Sequence, residues 1–193
     1  MIVLIINWNE ILINGLAVGL FSGLITSVVF LAILYFIKPN IAISPKIAKV
    51  RNPASEQNAN QKYMIKIMNR SKHFKAIEVR AELTASRKFV VEGGHNKQLK
   101  IITLTIDSMN YLPAFERKSK EAGYAYLFTT ETELEDFWNE STSIRFEIVA
   151  KHELTGFHKV FKQDYYTKHA NLQIGTFKFG NTFDIVWYLH HSR

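Results

Sequence analysis

"KAIEVRAELTA", Lys75 to Ala85, alternates. In an extended chain it sets Ile77, Val79, Ala81 and Leu83 on one face, and Lys75, Glu78, Arg80 and Glu82 largely on the other. Side chains along a strand point alternately to opposite sides, so a period of two reads as a half-buried strand. The same period recurs outward from this stretch. Upstream, "KYMIKIMN" (Lys62 to Asn69) alternates and ends in a turn at Asn69-Arg70-Ser71. Downstream, Gly93-Gly94 marks a turn, and "QLKIITLTI" (Gln98 to Ile106) and "YAYLFTT" (Tyr124 to Thr130) read as strands. "SIRFEIVAKHE" (Ser143 to Glu153) and "FHKVFKQDYY" (Phe157 to Tyr166) flank a short "LTG", the pattern of a tight hairpin. "QIGTFKFG" and "TFDIVWYL" supply two more. One helix is expected at "TETELEDFWN", Thr130 to Asn139. It has a Thr start, acids in the first turn, and Leu134, Phe137 and Trp138 for an apolar face. About eight short strands with one short helix predict an all-β sandwich.

The rest of the chain is different in kind. It has 193 residues and a formal net charge of +7, yet residues 1–37 carry a single charge, Glu10. Every Lys and Arg lies from Lys38 onward, and Ile11 to Ile37 is uncharged. About 20 apolar residues cross the hydrocarbon core of a bilayer, so this run predicts a transmembrane helix. A secretory signal peptide would begin with basic residues and end in a small-residue cleavage site. "MIVLIINWNE" has no basic side chain, and no such site follows "AILYFIKPN". Lys38, Lys46, Lys49 and Arg51 follow the span, and positive flanks stay in the cytoplasm. The expected topology is N-terminus outside and C-terminal domain cytoplasmic, in the cell membrane, the inner one in a bacterium. Trp8 and Tyr35 stand where interfacial aromatics belong. Lys38-Pro39 ends the helix, because proline lacks the donor and disfavours helix before it.

Within the span, "GLAVGLFSGLITS" puts a small residue at every fourth position: Gly15, Gly19, Gly23, Ser27. Residues four apart share a helix face. Helices in lipid associate by close backbone packing across such faces, so the ladder predicts self-association, or pairing with another membrane protein. The basic junction, Lys38, Lys46, Lys49 and Arg51, is the candidate contact for anionic lipid.

"YMIKIMNRSKHFKAIEVRAELTASR" and "SIRFEIVAKHELTGFHKVFKQDYY" also carry a resemblance. A membrane helix ends in a basic-Pro junction. A strand with an N-R turn leads to a second strand, and later a TG hairpin leads to an aromatic pair. This order is similar to the cytoplasmic domain of inward-rectifier potassium channels, over roughly Lys38 to Tyr188. The resemblance implies an immunoglobulin-like sandwich that assembles as an oligomer and holds lipid at the basic junction. Two features depart from that family. The chain has one span where a channel needs two and a pore helix, and it has no T-V-G-Y-G filter. "IGTFKFGNTFDI" also lacks the tryptophan of the family's W-G-x-x-F pattern. The resemblance therefore implies the regulatory sandwich on a single anchor, without the channel.

Little points to catalysis. There is no cysteine, which excludes disulfides, thiolate metal sites and thiol nucleophiles. No G-x-S-x-G elbow and no G-x-x-x-x-G-K-[ST] loop appears. His152, His158, His190 and His191 have no metal-ligand spacing and read as solvated loop histidines. Asp107 and Asp184 read as structural acids at strand ends. Phe157, Phe161, Tyr165, Tyr166, Phe177, Phe179 and Phe183 read as core and cross-strand packing, and Lys151, Lys159, Lys162 and Lys168 are too scattered for a nucleic-acid stripe. The expected organisation is an anchor helix (1–38), a juxtamembrane basic segment and loop (39–61), and a cytoplasmic sandwich (62–193). The expected role is binding or assembly without cofactor or metal. The expected partners are the bilayer, a second copy of the chain, another membrane protein or a small anionic ligand. The rival role is a membrane effector whose bundled helices form a pore, lined by Asn14, Ser22, Thr26 and Ser27.

Overall fold

A computed structural model describes residues 8–50, 62–118 and 121–187. The chain divides into two compact units after Lys38. The first is a single helix, α1 (Trp8–Phe36), 29 residues long. At a rise of about 1.5 Å per residue this is about 44 Å. Asn14–Leu34, 21 residues, is long and apolar enough to cross a membrane, and none of it is buried. Its polar side chains are satisfied inside the helix: the Thr26 and Ser27 hydroxyls each donate at 2.8 Å to the carbonyls of Ser22 and Gly23. In an apolar solvent such internal bonds are what a hydroxyl requires.

The second unit is mostly β-sheet. In chain order it contains β1 (Ile41–Ile43), β2 (Ile47–Val50), β3 (Lys62–Asn69), β4 (Ala76–Val91), β5 (Gly94–Ile102) and β6 (Ser108–Leu112). Then come β7 (Ala125–Thr130), β8 (Thr142–His152), β9 (His158–Tyr165), α2 (Lys168–Asn171), β10 (Leu172–Ile174), β11 (Thr176–Phe177) and β12 (Ile185–Val186).

In the first sheet β3 pairs with β7 along one edge and with both β1 and β2 along the other. β1 faces Ile67 to Asn69 and β2 faces Lys62 to Met64, so the two are one strand interrupted at Ser44-Pro45-Lys46. Proline offers no donor to a ladder. Ser44 bridges the gap: its N–H donates to the Lys66 carbonyl at 2.8 Å and its hydroxyl accepts from the Lys66 N–H at 3.2 Å. β10 adds in parallel beside β2.

The second sheet is built on β4, with β8 and then β9 on one side, all antiparallel. On the other side β5 faces Leu83 to Val91 and β6 faces Ala76 to Arg80. The break between β5 and β6 crosses to the first sheet, where the Thr105 N–H donates to the Thr129 carbonyl at 2.7 Å. A bulge interrupts β4 between Ile77 and Arg80, with Glu78 at φ 49°. Bulges bend a strand and re-aim its side chains.

The two sheets bury one core. Tyr63, Ile65, Ile67 and Phe128 come from the first, and Val79, Leu83, Ile144, Phe146 and Ile148 from the second. The Phe128 and Phe146 rings meet across it with centroids 5.5 Å apart. The outer face of the first sheet is also covered. There Met68, Ala122 and Tyr124 form a second cluster with Phe115 and Phe183. The chain after β10 returns through Gly175, at φ 135°, where a Cβ would stand 2.5 Å from the Val186 carbonyl oxygen. Only glycine fits that conformation and that approach.

A single N-terminal apolar helix, then a β-sandwich with one short helix, is the architecture the sequence predicts. Three details differ. The sandwich starts at Pro39, because β1 and β2 lie ahead of the boundary expected at 62. The loop expected over 51–61 falls outside the described residues. Thr130 to Asn139 forms turns, with one helical bond from the Trp138 N–H to the Leu134 carbonyl, and the short helix is α2. Thr130 ends β7; its hydroxyl donates to the Thr103 carbonyl at 2.6 Å and accepts the Thr132 N–H at 3.2 Å, a turn bond that no helix follows. Leu134 and Trp138 still enter the core as an i, i+4 pair.

Candidate functional site

On α1, Gly15, Gly19, Gly23 and Ser27 follow one another at four-residue intervals along the helix. A Cβ added at any of the three glycines would meet nothing within 4 Å. The stripe is therefore an open strip of backbone, the surface on which a second helix can approach closely. The side chains of Trp8 and Tyr35 lie outside the described residues.

Of the four basic junction residues, two make contacts within the sandwich. Lys49 ends in the sandwich, on β2, ion-paired with Glu135 and with its ammonium 5.7 Å from the Tyr63 ring centre. Lys46 donates to the Gln173 side chain at 3.0 Å. Lys38 closes the first unit, and Arg51 lies outside the described residues.

The second sheet carries a groove of about 720 Å³ on its outer face. It lies where β5 and β6 leave the edge of β4, and Arg80, Glu82, Ile101, Asp107, Ser108 and Glu147 line it. Glu82 and Glu147 stand directly opposite on neighbouring strands. The charged lining of the groove is one guanidinium, Arg80, and three carboxylates, of which Glu147 also has the Arg145 guanidinium 3.7 Å away. Alongside, Arg145 holds Asp164 at 2.6 Å and Lys162 holds Glu147 at 3.2 Å. The hydrogen bond to Asp164 raises the Arg145 pKa further. At the bulge, Lys151 donates to Glu78 at 2.8 Å and lowers its carboxyl pKa.

The polar groups inside the sandwich have structural work. The Lys66 ammonium is buried and donates to three carbonyls of the returning C-terminal segment: Lys178 at 2.7 Å, Gly180 at 2.7 Å and Thr182 at 2.9 Å. Burial first, and the Arg70 charge second, lower its pKa. The Tyr165 hydroxyl donates to the Ser44 carbonyl at 2.9 Å, and burial raises its pKa. Tyr63 donates to Glu133; burial, then that bond, raise its pKa.

The expectation of solvated histidines is corrected at His152, which is 1% exposed. Its Nδ1 accepts from the Leu154 and Thr155 N–H groups at 3.3 Å and its ring meets Phe74 at 4.6 Å, so it builds the β8–β9 turn. Burial lowers its pKa. His158 lies 3.9 Å from Glu78 on the surface; His190 and His191 lie outside the described residues. Among the described residues no group of three or more His, Asp or Glu could hold a metal ion. Asp107 accepts the Ala81 N–H on its carbonyl and the Ser108 hydroxyl on its carboxylate. The Asp184 carbonyl accepts the Lys178 N–H. Of the aromatics expected in packing, Tyr165 is in the core and Phe183 in the second cluster. Tyr166 and Phe179, each 66% exposed, are not packed. The groove and the Lys66 cage escaped sequence reasoning, since both depend on segments far apart in the chain.

No protein family matches the chain, and no curated protein does. Among solved structures, it is similar to the X-ray structure of Northeast Structural Genomics Consortium target SoR45. The identity is 12%, over 74% of this chain and 96% of that one, with a TM-score of 0.30.

Proposed function

We propose that the protein is a single-pass membrane protein whose cytoplasmic sandwich is a non-catalytic binding and assembly module. One observation carries the reading: an unburied 21-residue apolar span bears a stripe of Gly15, Gly19, Gly23 and Ser27. The open space over its glycines supports close pairing with a like helix. Positive charge confined to residues after the span supports the cytoplasmic placement, in the cell membrane. The resemblance to the inward-rectifier cytoplasmic domain belongs to this proposal, and the two-sheet body and its β8–β9 hairpin are what favour it. The Thr26 and Ser27 hydroxyls already donate to their own helix. Each hydroxyl keeps its acceptor lone pairs, so the rival in which Asn14, Ser22, Thr26 and Ser27 line a pore is decided by ion leakage from liposomes.

The test is the mass of the full-length protein in mild detergent, beside a Gly19→Ile/Gly23→Ile variant. The expected result is an oligomer for the native chain and a smaller species for the variant. Two monomers would remove the assembly function. Ion leakage from liposomes carrying the native oligomer, lost in the variant, would favour the pore instead.

A further inference from the structure

The β4–β5 hairpin outruns the sandwich. β8 accompanies β4 only as far as Arg87, opposite Thr142. From Lys88 to Lys97 the two strands pair with each other and with no further strand. Every residue from Arg87 to Ile101 is exposed. A two-stranded hairpin alone in water is marginal, so a long bare one is a surface that lacks its partner. Two further features define that partner. First, the β4 half of the tip is apolar on both faces: Phe89 and Val91, opposite Asn96 and Gly94, lie on the face that continues the core side, and Val90, 77% exposed and opposite His95, lies on the other. A docked protein covers one face of a hairpin, whereas immersion in a surface covers both. Second, the tip sits in a basic collar of Arg87, Lys88, Lys97 and Lys100, against two carboxylates: Glu92 in the turn, and Asp136, which lines a pocket with Arg87 and Lys100 at the base. Among the described residues none of the four cations has an ion-pair partner, and Lys100 lies 4.3 Å over the Phe137 ring. Apolar tip residues behind basic ones match an anionic bilayer, with acyl chains below a layer of phosphates.

We propose that this arm is a second membrane contact: its Phe-Val-Val tip seats in the interface of a bilayer with anionic headgroups, and Arg87, Lys88 and Lys97 hold the phosphates. The nearness of a bilayer rests on the anchor reading of α1; the chemistry of the arm does not. Because the chain has no cysteine, Val90→Cys gives one labelling site for an environment-sensitive dye. Leu154→Cys, at the exposed β8–β9 turn, is the control. The labelled full-length protein is mixed with, or reconstituted into, vesicles of phosphatidylcholine alone or with phosphatidylglycerol, with and without a spin-labelled quencher lipid.

The expected result is blue-shifted, quenchable emission at position 90 in anionic vesicles only, and none at position 154. Replacing Arg87, Lys88 and Lys97 by Gln weakens the response by about fivefold per residue, and Glu92→Gln strengthens it. Emission indifferent to lipid charge overturns the proposal. So does a shift that follows the number of proteins per vesicle in neutral lipid, which identifies a second copy as the occupant. A protein that does not float with vesicles sinks the anchor reading, while the label's response to added vesicles still decides the arm.

Discussion

Replacing Lys66 by Met removes the ammonium that ties the C-terminal segment to the first sheet, with little change in side-chain length. Three carbonyls, at 2.7, 2.7 and 2.9 Å, lose their donor. Bonds to a charged group contribute about 1.5–3 kcal/mol each, so the gross loss is about 5–9 kcal/mol. Against this stands the desolvation of the buried ammonium, several kcal/mol, which Met does not incur. The freed carbonyls lie on a surface loop where water can reach them, which reduces the loss further. The net is about 2 kcal/mol, or about thirtyfold in the opening equilibrium of the segment. Native-state hydrogen exchange reads it at the Lys178 amide, which donates to the Asp184 carbonyl at 2.8 Å. Its protection should fall about thirtyfold, while amides in the β4–β8 ladder keep theirs. Equal protection in both proteins would refute the reasoning. It would leave the packing of Phe183 against Met68 as the true fastening.

Gly175→Ala should open the same segment by another route, because the new Cβ would stand 2.5 Å from the Val186 oxygen and 2.9 Å from Ile185 Cγ2. We expect a loss of about 2 kcal/mol or more in urea unfolding, and an unchanged midpoint would show that the backbone shifts freely there. His152 sets the acid limit of the β8–β9 turn. Burial holds its folded pKa below the unfolded value near 6.5, so the unfolded chain takes up the proton first. Its contribution is complete above about pH 7 and is lost as pH falls from there towards the lowered folded value. Urea midpoints measured from pH 7.5 to 5 should decline, and His152→Gln should flatten that decline; parallel curves would exclude His152 as the cause.

Period two located four strands closely, while the strand expected over Gln98 to Ile106 lies four residues earlier and β6 is not expected. β3 spans the residues its alternation marks, and β7, β8 and β9 match to within a residue at each end. The alternation of β4 breaks after Ala85, in Ser86-Arg87-Lys88-Phe89-Val90-Val91, so the strand reads as ending there, yet it continues to Val91. A hairpin bare on both faces has no side to alternate for. β1 and β2 lie in "NIAISPKIAKV", whose alternation reads as an extended lead-in; its place in the sandwich does not show, because Pro45 splits it and its partner β3 lies beyond the polar loop. The Thr130 to Asn139 segment carries real helix-entry signals, and Thr130 does accept the Thr132 N–H, but the turns that follow are held by tertiary contacts, Glu135 on Lys49 and Leu134 and Trp138 in the core. Lys66 falls on the outer face by its period, where a lysine is expected in water. It is buried because residues more than a hundred positions later fold back over it. The Gly-Gly-Gly-Ser stripe was legible in full, since it depends on one helix alone.

The pairing of β10 with β2 bears on how the chain is made. The Tyr165 hydroxyl reaches the Ser44 carbonyl across 121 residues, and Leu172 lies beside Ile47. Contacts between such distant parts of a sequence form late, because long loops must close before the pairing stabilises anything. On a ribosome β1, β2 and β3 emerge long before β10, and the first sheet cannot be completed until β10 is out. Until then β2 waits with an open edge, and Lys46 and Lys49 lie beside and on that strand. Charge on an unpaired strand discourages pairing with other chains. These two lysines, which end in an amide contact and an ion pair, would guard the nascent domain against aggregation until β10 arrives.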